Sequence, residues 1–255
     1  MDKMNAWMQT GSAYAGQYIY CDVPDVECGE LAFTQDDFWT AYLPAVHPTA
    51  AGHRYIADRI LSVLPDTALP FEDVPEGAWY CMDVAACYYR SLMVGVADTR
   101  FAPDLPLDRA MVATIVHRIA GAPDAAGTNM PFRDVPAGAY YAQPVLWAYH
   151  AGVVNGCGAD TFCPTQAISR QDLTVILYRY ACLAGVADAA QSENVLSGFA
   201  DADAVSDYAR AALAWAVENG LLQGSEAGNL MLSQPVTRQQ LAAVLYRFAK
   251  LEGQT

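Results

Sequence analysis

The sequence predicts a mainly α-helical protein in which three helix-loop-helix repeats pack together, behind a small N-terminal α/β fragment. Three observations carry this. The openings "FEDVPEGAWY" at Phe71, "FRDVPAGAYY" at Phe132 and "FADADAVSDY" at Phe199 align with one another. Each leads through an alanine-rich apolar segment and a loop to a second apolar segment. The separation from Gly95 to Arg109 equals that from Gly156 to Arg170 and from Gly224 to Arg238, 14 positions each. Self-similarity at fixed spacing is the mark of a repeat architecture.

Residues 1–65 read as helix, strand, loop, helix. "DKMNAWMQTG" suits a helix, "QYIYCDV" a buried strand, and "PTAAGHRYIADRILSVL" a second helix with Ala50, Tyr55, Ile56, Ile60 and Leu64 on its apolar side. A lone strand leaves both edges unpaired, so this is the tail of an α/β unit rather than a whole sheet. The linker "LPDTALP" (64–70) follows. The repeats then occupy 71–121, 130–185 and 197–253, separated by "APDAAGTNM" and "VADAAQSENVLS".

Within each repeat the second segment is the clearer helix. Val112, Ile115, Val116 and Ile119 fall at i, i+3, i+4, i+7. So do Leu173, Ile176, Leu177 and Tyr180, and again Leu241, Val244, Leu245 and Phe248. That spacing places them on one helical face. Asp108, Ser169 and Thr237 stand where an N-cap belongs, and Thr237 with Gln240 has the form of a capping box. Gly121, Gly185 and Gly253 are placed to end the helices. The first segments, such as "QPVLWAYHAGVVNG", are helical up to a glycine turn. One unit of about 50 residues has too little core to stand alone, so the three pack together.

Composition narrows the function. The 255-residue chain is 54% hydrophobic and 16% charged, enough to bury a core. Its formal charge is −14, which argues against nucleic acid or an anionic lipid surface as partner. No apolar run is long enough to span a bilayer. The start of the chain lacks the apolar core of a signal peptide. Seven cysteines are present without CxxC spacing, so neither a zinc site nor any other cofactor is expected. Cys157 with Cys163, and Cys21 with Cys28, are close enough in sequence to bridge. Cys81 and Cys87 lie in a helical stretch where six residues rise roughly 9 Å, beyond the roughly 7 Å a disulfide spans.

The chemistry-bearing constellation is a set of arginines. Arg109, Arg170 and Arg238 each stand at the first helical position after a capping residue. A helix N-terminus carries unpaired N–H groups and a partial positive charge, and a guanidinium there makes an anion site on an otherwise acidic protein. The competing reading is that these arginines pair with nearby carboxylates and fix the helix start. Arg118, Arg179 and Arg247 recur nine positions later, in the last turns, where a cation suits the helix dipole; they read as structural.

Residues 71–253 resemble S-layer homology domains. The resemblance is carried by the "FxDV"-type openings with Asp73, Asp134 and Asp201, the glycine turns, "FAP" at Phe101, "FCP" at Phe162, and the arginines of "LDRAM", "ISRQD" and "VTRQQ". It implies a pseudo-threefold bundle whose grooves hold secondary cell-wall polysaccharide, often bearing a pyruvyl ketal, and so a place outside the cell, on the bacterial wall or surface layer. It implies that Arg109, Arg170 and Arg238 meet the ligand's carboxylate. Trp79, Tyr140 and Tyr208 at the first helices' starts are candidates to stack on sugar faces; the core edge is the commoner place for such aromatics. The sequence departs from the pattern at Met111, Asp172 and Gln240, where the family has glutamate, and at Leu230 and Leu232, where it has "FxP".

Residues 1–65 resemble the closing block of SGNH (GDSL-type) hydrolases through His47 and Pro48. That resemblance would make His47 a catalytic base. The usual aspartate position holds Pro44, and no "GDS" or oxyanion block precedes it. A base without a positioned hydroxyl gives little acyl transfer. His47 is therefore expected to be a relic, and the chain the later part of a longer exported esterase followed by wall-anchoring repeats. An SGNH-type esterase is the alternative activity. Oligomeric state is not readable from the sequence.

Overall fold

The computed structural model describes residues 69–125, 129–187 and 193–252. The chain divides into two compact units, Met1–Ala68 and Leu69–Thr255, and the second carries all that follows. The expectations for residues 1–65, including His47 and a Cys21–Cys28 bridge, lie outside the described residues.

Among the described residues six α-helices follow in order: α1 (Cys81–Tyr89), α2 (Arg109–Ile119), α3 (Ala142–His150), α4 (Arg170–Leu183), α5 (Arg210–Glu218) and α6 (Arg238–Glu252). Short 3₁₀ turns at Glu193–Gly198, Ala202–Ala204 and Asp207–Ala209 lead into α5. Among the described residues there are isolated β-bridges but no strand. The mainly helical expectation is met.

The predicted faces are buried. Val112, Val116, Leu173, Leu177, Leu241, Leu245 and Phe248 all lie in one continuous core. Pro144 sits in the first turn of α3, where its missing N–H is one that the helix would leave unpaired anyway. The Asp108 carboxylate accepts from the Met111 N–H at 2.7 Å, and Ser169 Oγ accepts from the Asp172 N–H at 3.1 Å. At Thr237 the capping box is half made: Gln240 Oε1 accepts from the Thr237 N–H at 3.1 Å, while Thr237 Oγ1 is buried with no partner. Gly121 and Gly185 follow α2 and α4 with φ of 82° and 72°, the left-handed exit expected of them. Gly253 lies outside the described residues.

The first helices close differently from the expectation. Their left-handed turn falls on Ser91, Gly152 and Gly220 (φ 57°, 74° and 66°), four residues before Gly95, Gly156 and Gly224. The later glycines answer a steric demand. A Cβ on Gly156 would lie 2.8 Å from Cε1 of Phe132 and 2.6 Å from the Thr161 carbonyl.

The packing unit is not the sequence repeat. Helix α3 packs on α2, α5 on α4, and α1 on α6. Each first helix therefore rests on the second helix of the preceding repeat, and the first repeat rests on the third. The Cys87 thiol in α1 lies 3.7 Å from the Ala242 carbonyl in α6, and burial pushes that thiol up to about 12.

At the centre, three backbone hydrogen bonds form a closed ring. Ile168 N–H donates to Leu107 at 2.9 Å, Val236 N–H to Ile168 at 3.1 Å, and Leu107 N–H to Val236 at 2.8 Å. All three side chains are buried. One residue from each repeat thus meets on a pseudo-threefold axis.

Candidate functional site

The ring sets where the arginines go. The helix starts are not the open anion sites that unpaired N–H groups would make. Arg109 and Ala110 N–H donate to the carbonyls of Gln166 and Pro164, each at 3.0 Å. Arg170 and Gln171 do the same to Gln234 and Leu232, and Arg238 and Gln239 to Leu105 and Pro103. The loop of the next repeat around the ring satisfies what the helix leaves free. This corrects the expectation of free amides at the helix starts.

The guanidinium groups follow the same route. Arg109 donates from Nε to the Phe162 carbonyl at 2.9 Å and from Nη2 to the Asn155 carbonyl at 2.6 Å. Arg170 donates to Leu230 at 2.9 Å and Gln223 at 3.0 Å. Arg238 donates to Phe101 at 2.7 Å and Val94 at 2.5 Å. Each arginine therefore ties its own repeat to the next, in a closed circuit. None of the three is in an ion pair with a carboxylate among the described residues, so the competing reading of local carboxylate pairing is not what they do. Burial pulls the affinity of all three for their protons below the ordinary value, and an arginine stays charged regardless. Arg238 is buried; Arg109 and Arg170 are half-buried.

The receiving loop is built by the "FxD" aspartates. Asp134 accepts from the N–H groups of Phe162 at 2.8 Å and Cys163 at 2.7 Å. Asp73 holds Phe101 and Ala102, and Asp201 holds Leu230 and Met231, in the same two-pronged way. The second residue of each pair has φ near +58°, a strained choice for a side chain that the paired carboxylate bonds offset. Leu230 replaces phenylalanine without disturbing this, being fully buried in the same slot. What it removes is a ring beneath the arginine. Arg109 lies 4.8 Å from the Phe162 centroid and Arg238 4.4 Å from that of Phe101, while Arg170 faces leucine.

Cys157 and Cys163 form a disulfide across the second repeat's loop, with Cα atoms 6.1 Å apart. Cys81, Cys87 and Cys182 are free.

Beside Arg109 this geometry opens a groove of about 340 Å³, lined among others by Asn155, Asp172, Ile176, Arg179 and Tyr208. Three repeats contribute to it. Tyr208 is 58% exposed, and Trp79 and Tyr140 are 63% and 64% exposed, so these aromatics stand out from the core instead of closing its edge. The Tyr208 hydroxyl donates to Asp172 Oδ1 at 2.7 Å and accepts from Gln171 Nε2 at 2.9 Å. Burial and the Asp172 carboxylate both push this hydroxyl up, which keeps it a donor. A separate apolar cavity of about 20 Å³ lies under Leu173, Leu177 and Trp215 and reaches Arg170, room for one water.

Arg109 and Tyr208, candidates from the sequence, both line this groove; so do Asp172, which the sequence marks only as a departure, and Arg179, which it reads as structural. Nothing in the sequence separates Arg179 from Arg118 and Arg247; the difference lies in their partners. Among the described residues there is no group of side chains fit to hold a metal ion. No helix among them is long and apolar enough to cross a membrane.

Comparison with known proteins agrees with this architecture. The chain is 34% identical over 156 residues to a surface-layer 125 kDa protein of Lysinibacillus sphaericus, covering 60% of this chain and 12% of that protein. It is 32% identical over 183 residues to a cell surface protein of Thermoanaerobacter kivui, covering 70% and 21%. It is 27% identical over 185 residues to an amylopullulanase of Thermoanaerobacterium thermosulfurigenes, covering 72% and 10%. The chain thus spans about a fifth or less of the length of these relatives. The profile of the S-layer homology domain matches residues 70–111, 131–174 and 198–242, just over half of the chain. With three such matches on a closed ring of three helix-loop-helix units, the chain belongs to the S-layer homology domain family.

Proposed function

We propose that the three-repeat bundle anchors its protein at the bacterial cell surface by binding acidic secondary cell-wall polysaccharide. The observation that carries this is the groove beside Arg109, where guanidinium groups and an exposed aromatic ring face one open space on a strongly acidic chain. Guanidinium forks suit carboxylates, and aromatic faces suit the apolar faces of sugars. Arg109, Arg170 and Arg238 contribute charge from donors left after their carbonyl bonds, and Trp79, Tyr140 and Tyr208 supply the stacking surfaces. The surface-layer and cell-surface names of the relatives support an extracellular location. Co-sedimentation with purified wall sacculi tests the reading. Retention that disappears once the secondary polysaccharide is stripped supports it; retention that survives stripping points to another wall component.

A second reading concerns the first 65 residues, where His47–Pro48 supports descent from an SGNH-type esterase. Turnover of p-nitrophenyl acetate by wild type and His47→Ala at the same background rate is the expected result for a relic. A rate lost in the variant would make the chain an active esterase.

A further inference from the structure

Three arginines occupy the same place in the second helices, yet they are not equivalent. Arg118 donates from Nη1 to the Leu92 carbonyl at 3.1 Å, and Arg247 from Nη1 to the Leu221 carbonyl at 3.3 Å. Both partners lie 26 positions earlier, in the same repeat. The matching carbonyl for Arg179 is that of Val153, and that bond is not made. Among the described residues Arg179 has neither a hydrogen-bond nor an ion-pair partner, and it lines the groove that holds Arg109 and Tyr208. We propose that Arg179 is a ligand-binding residue, the second cationic contact of this groove, and that it makes this groove the tightest of the bundle for a sugar bearing a single carboxylate.

The argument is one of charge and geometry. Asp172, Ile176 and Arg179 lie along one face of α4, and seven residues of helix rise roughly 10 Å. A ligand spanning that face meets Tyr208 and Asp172 at one end and Arg179 at the other. Asp172 is already committed: its oxygens accept from Tyr208 at 2.7 Å and from Ser169 Oγ at 2.8 Å. Of the charged residues lining the groove, two are guanidinium groups and one is a carboxylate; Asp134 is a further carboxylate that acts on Arg109, so Arg179 carries the less compensated charge. Arg109 has spent Nε and an Nη2 proton on carbonyls, so its remaining donors offer an edge. Arg179 keeps its whole fork for bidentate contact. In the other two repeats the equivalent arginine is bonded to backbone, and Met111 and Gln240 stand where Asp172 does.

This rests on the polysaccharide-anchoring reading, and the experiment separates the two. The probe is a glycoside carrying a pyruvyl ketal, titrated calorimetrically into the whole chain, with its methyl ester as the uncharged control. Wild type should bind the acid and not the ester. Arg179→Met should lose at least tenfold in affinity for the acid while keeping the wild-type unfolding midpoint, since it breaks no internal bond. Arg118→Met and Arg247→Met should melt lower and bind within threefold of wild type. Wild-type affinity in Arg179→Met, or a midpoint lowered as in the other two, overturns the inference and leaves anchoring standing. Failure of wild type to bind either the acid or intact sacculi overturns both.

Discussion

Arg238 donates from Nε to the carbonyl of Phe101, 137 positions earlier in the chain, at 2.7 Å. This bond joins the last helix to the first repeat, and with the Arg109 and Arg170 bonds it makes the circuit complete. A residue type that the sequence marks for ligand contact is at the same time the fastener between repeats.

Arg238→Met is therefore expected to lower stability by about 1.5–3 kcal/mol, the range for a hydrogen bond to a charged group. Arg170→Met should cost about 0.5–1 kcal/mol less, because leucine, not an aromatic ring, lies beneath it. Urea unfolding of the two variants beside wild type measures both numbers.

Asp134 sets a pH dependence. Burial alone would raise its proton affinity, but the N–H groups of Phe162 and Cys163, helped by Arg133, hold the carboxyl below the ordinary 3.8. A depressed carboxylate stabilises the fold fully above its unfolded value, and that contribution is lost as pH falls through the folded one. Asp134→Asn should cost about 1.5–3 kcal/mol at neutral pH. The gap from wild type should close as pH drops below 3.8. Denaturant melts from pH 7 down to pH 2 give the curve.

Ser91 takes a left-handed conformation at φ 57°, where the other two repeats use Gly152 and Gly220. A side chain there costs about 1–2 kcal/mol, and glycine's freer unfolded chain returns about 0.4–1 kcal/mol of the gain. Ser91→Gly should stabilise by roughly 0.5–1 kcal/mol, read as a raised thermal midpoint.

Gly156→Ala acts in the opposite direction. The new methyl would meet Phe132 at 2.8 Å and the Thr161 carbonyl at 2.6 Å, and overpacking of this kind costs about 1–3 kcal/mol. Because Gly156 also lines the groove beside Arg109, binding to sacculi should weaken together with the unfolding midpoint.

Reducing Cys157–Cys163 should lower stability by about 2 kcal/mol, the chain-entropy value for so short a loop. Melts of wild type and of Cys157→Ala/Cys163→Ala, each with and without reductant, check it: the part of the reductant effect that the double variant lacks is the share of this bridge.

Much of this was legible in the sequence, for reasons that differ from residue to residue. The buried faces of α2, α4 and α6 followed from spacing, because a helix imposes its period on whatever it buries. The caps at Asp108 and Ser169 followed from local chemistry. What stayed hidden is non-local. Val236 closing on Leu107 and Ile168, or α1 resting on α6, leaves no mark at any one position, since each repeat looks the same whether it packs on its own partner or on its neighbour's. The separate standing of Arg179 stayed hidden for a related reason. Its sequence context matches that of Arg118 and Arg247, and only the carbonyl it fails to reach sets it apart.

Because the first helix of the set lies against the last, the assembly has no growing tip. A linear stack of such units would lengthen by copying one more, each newcomer docking on a waiting surface. Among the described residues each first helix already rests on a second helix, so a fourth tandem copy would find no place in this ring. Dropping one of the three leaves two orphaned faces that only a neighbouring molecule can cover. A duplication that keeps this closed packing adds a whole set of three.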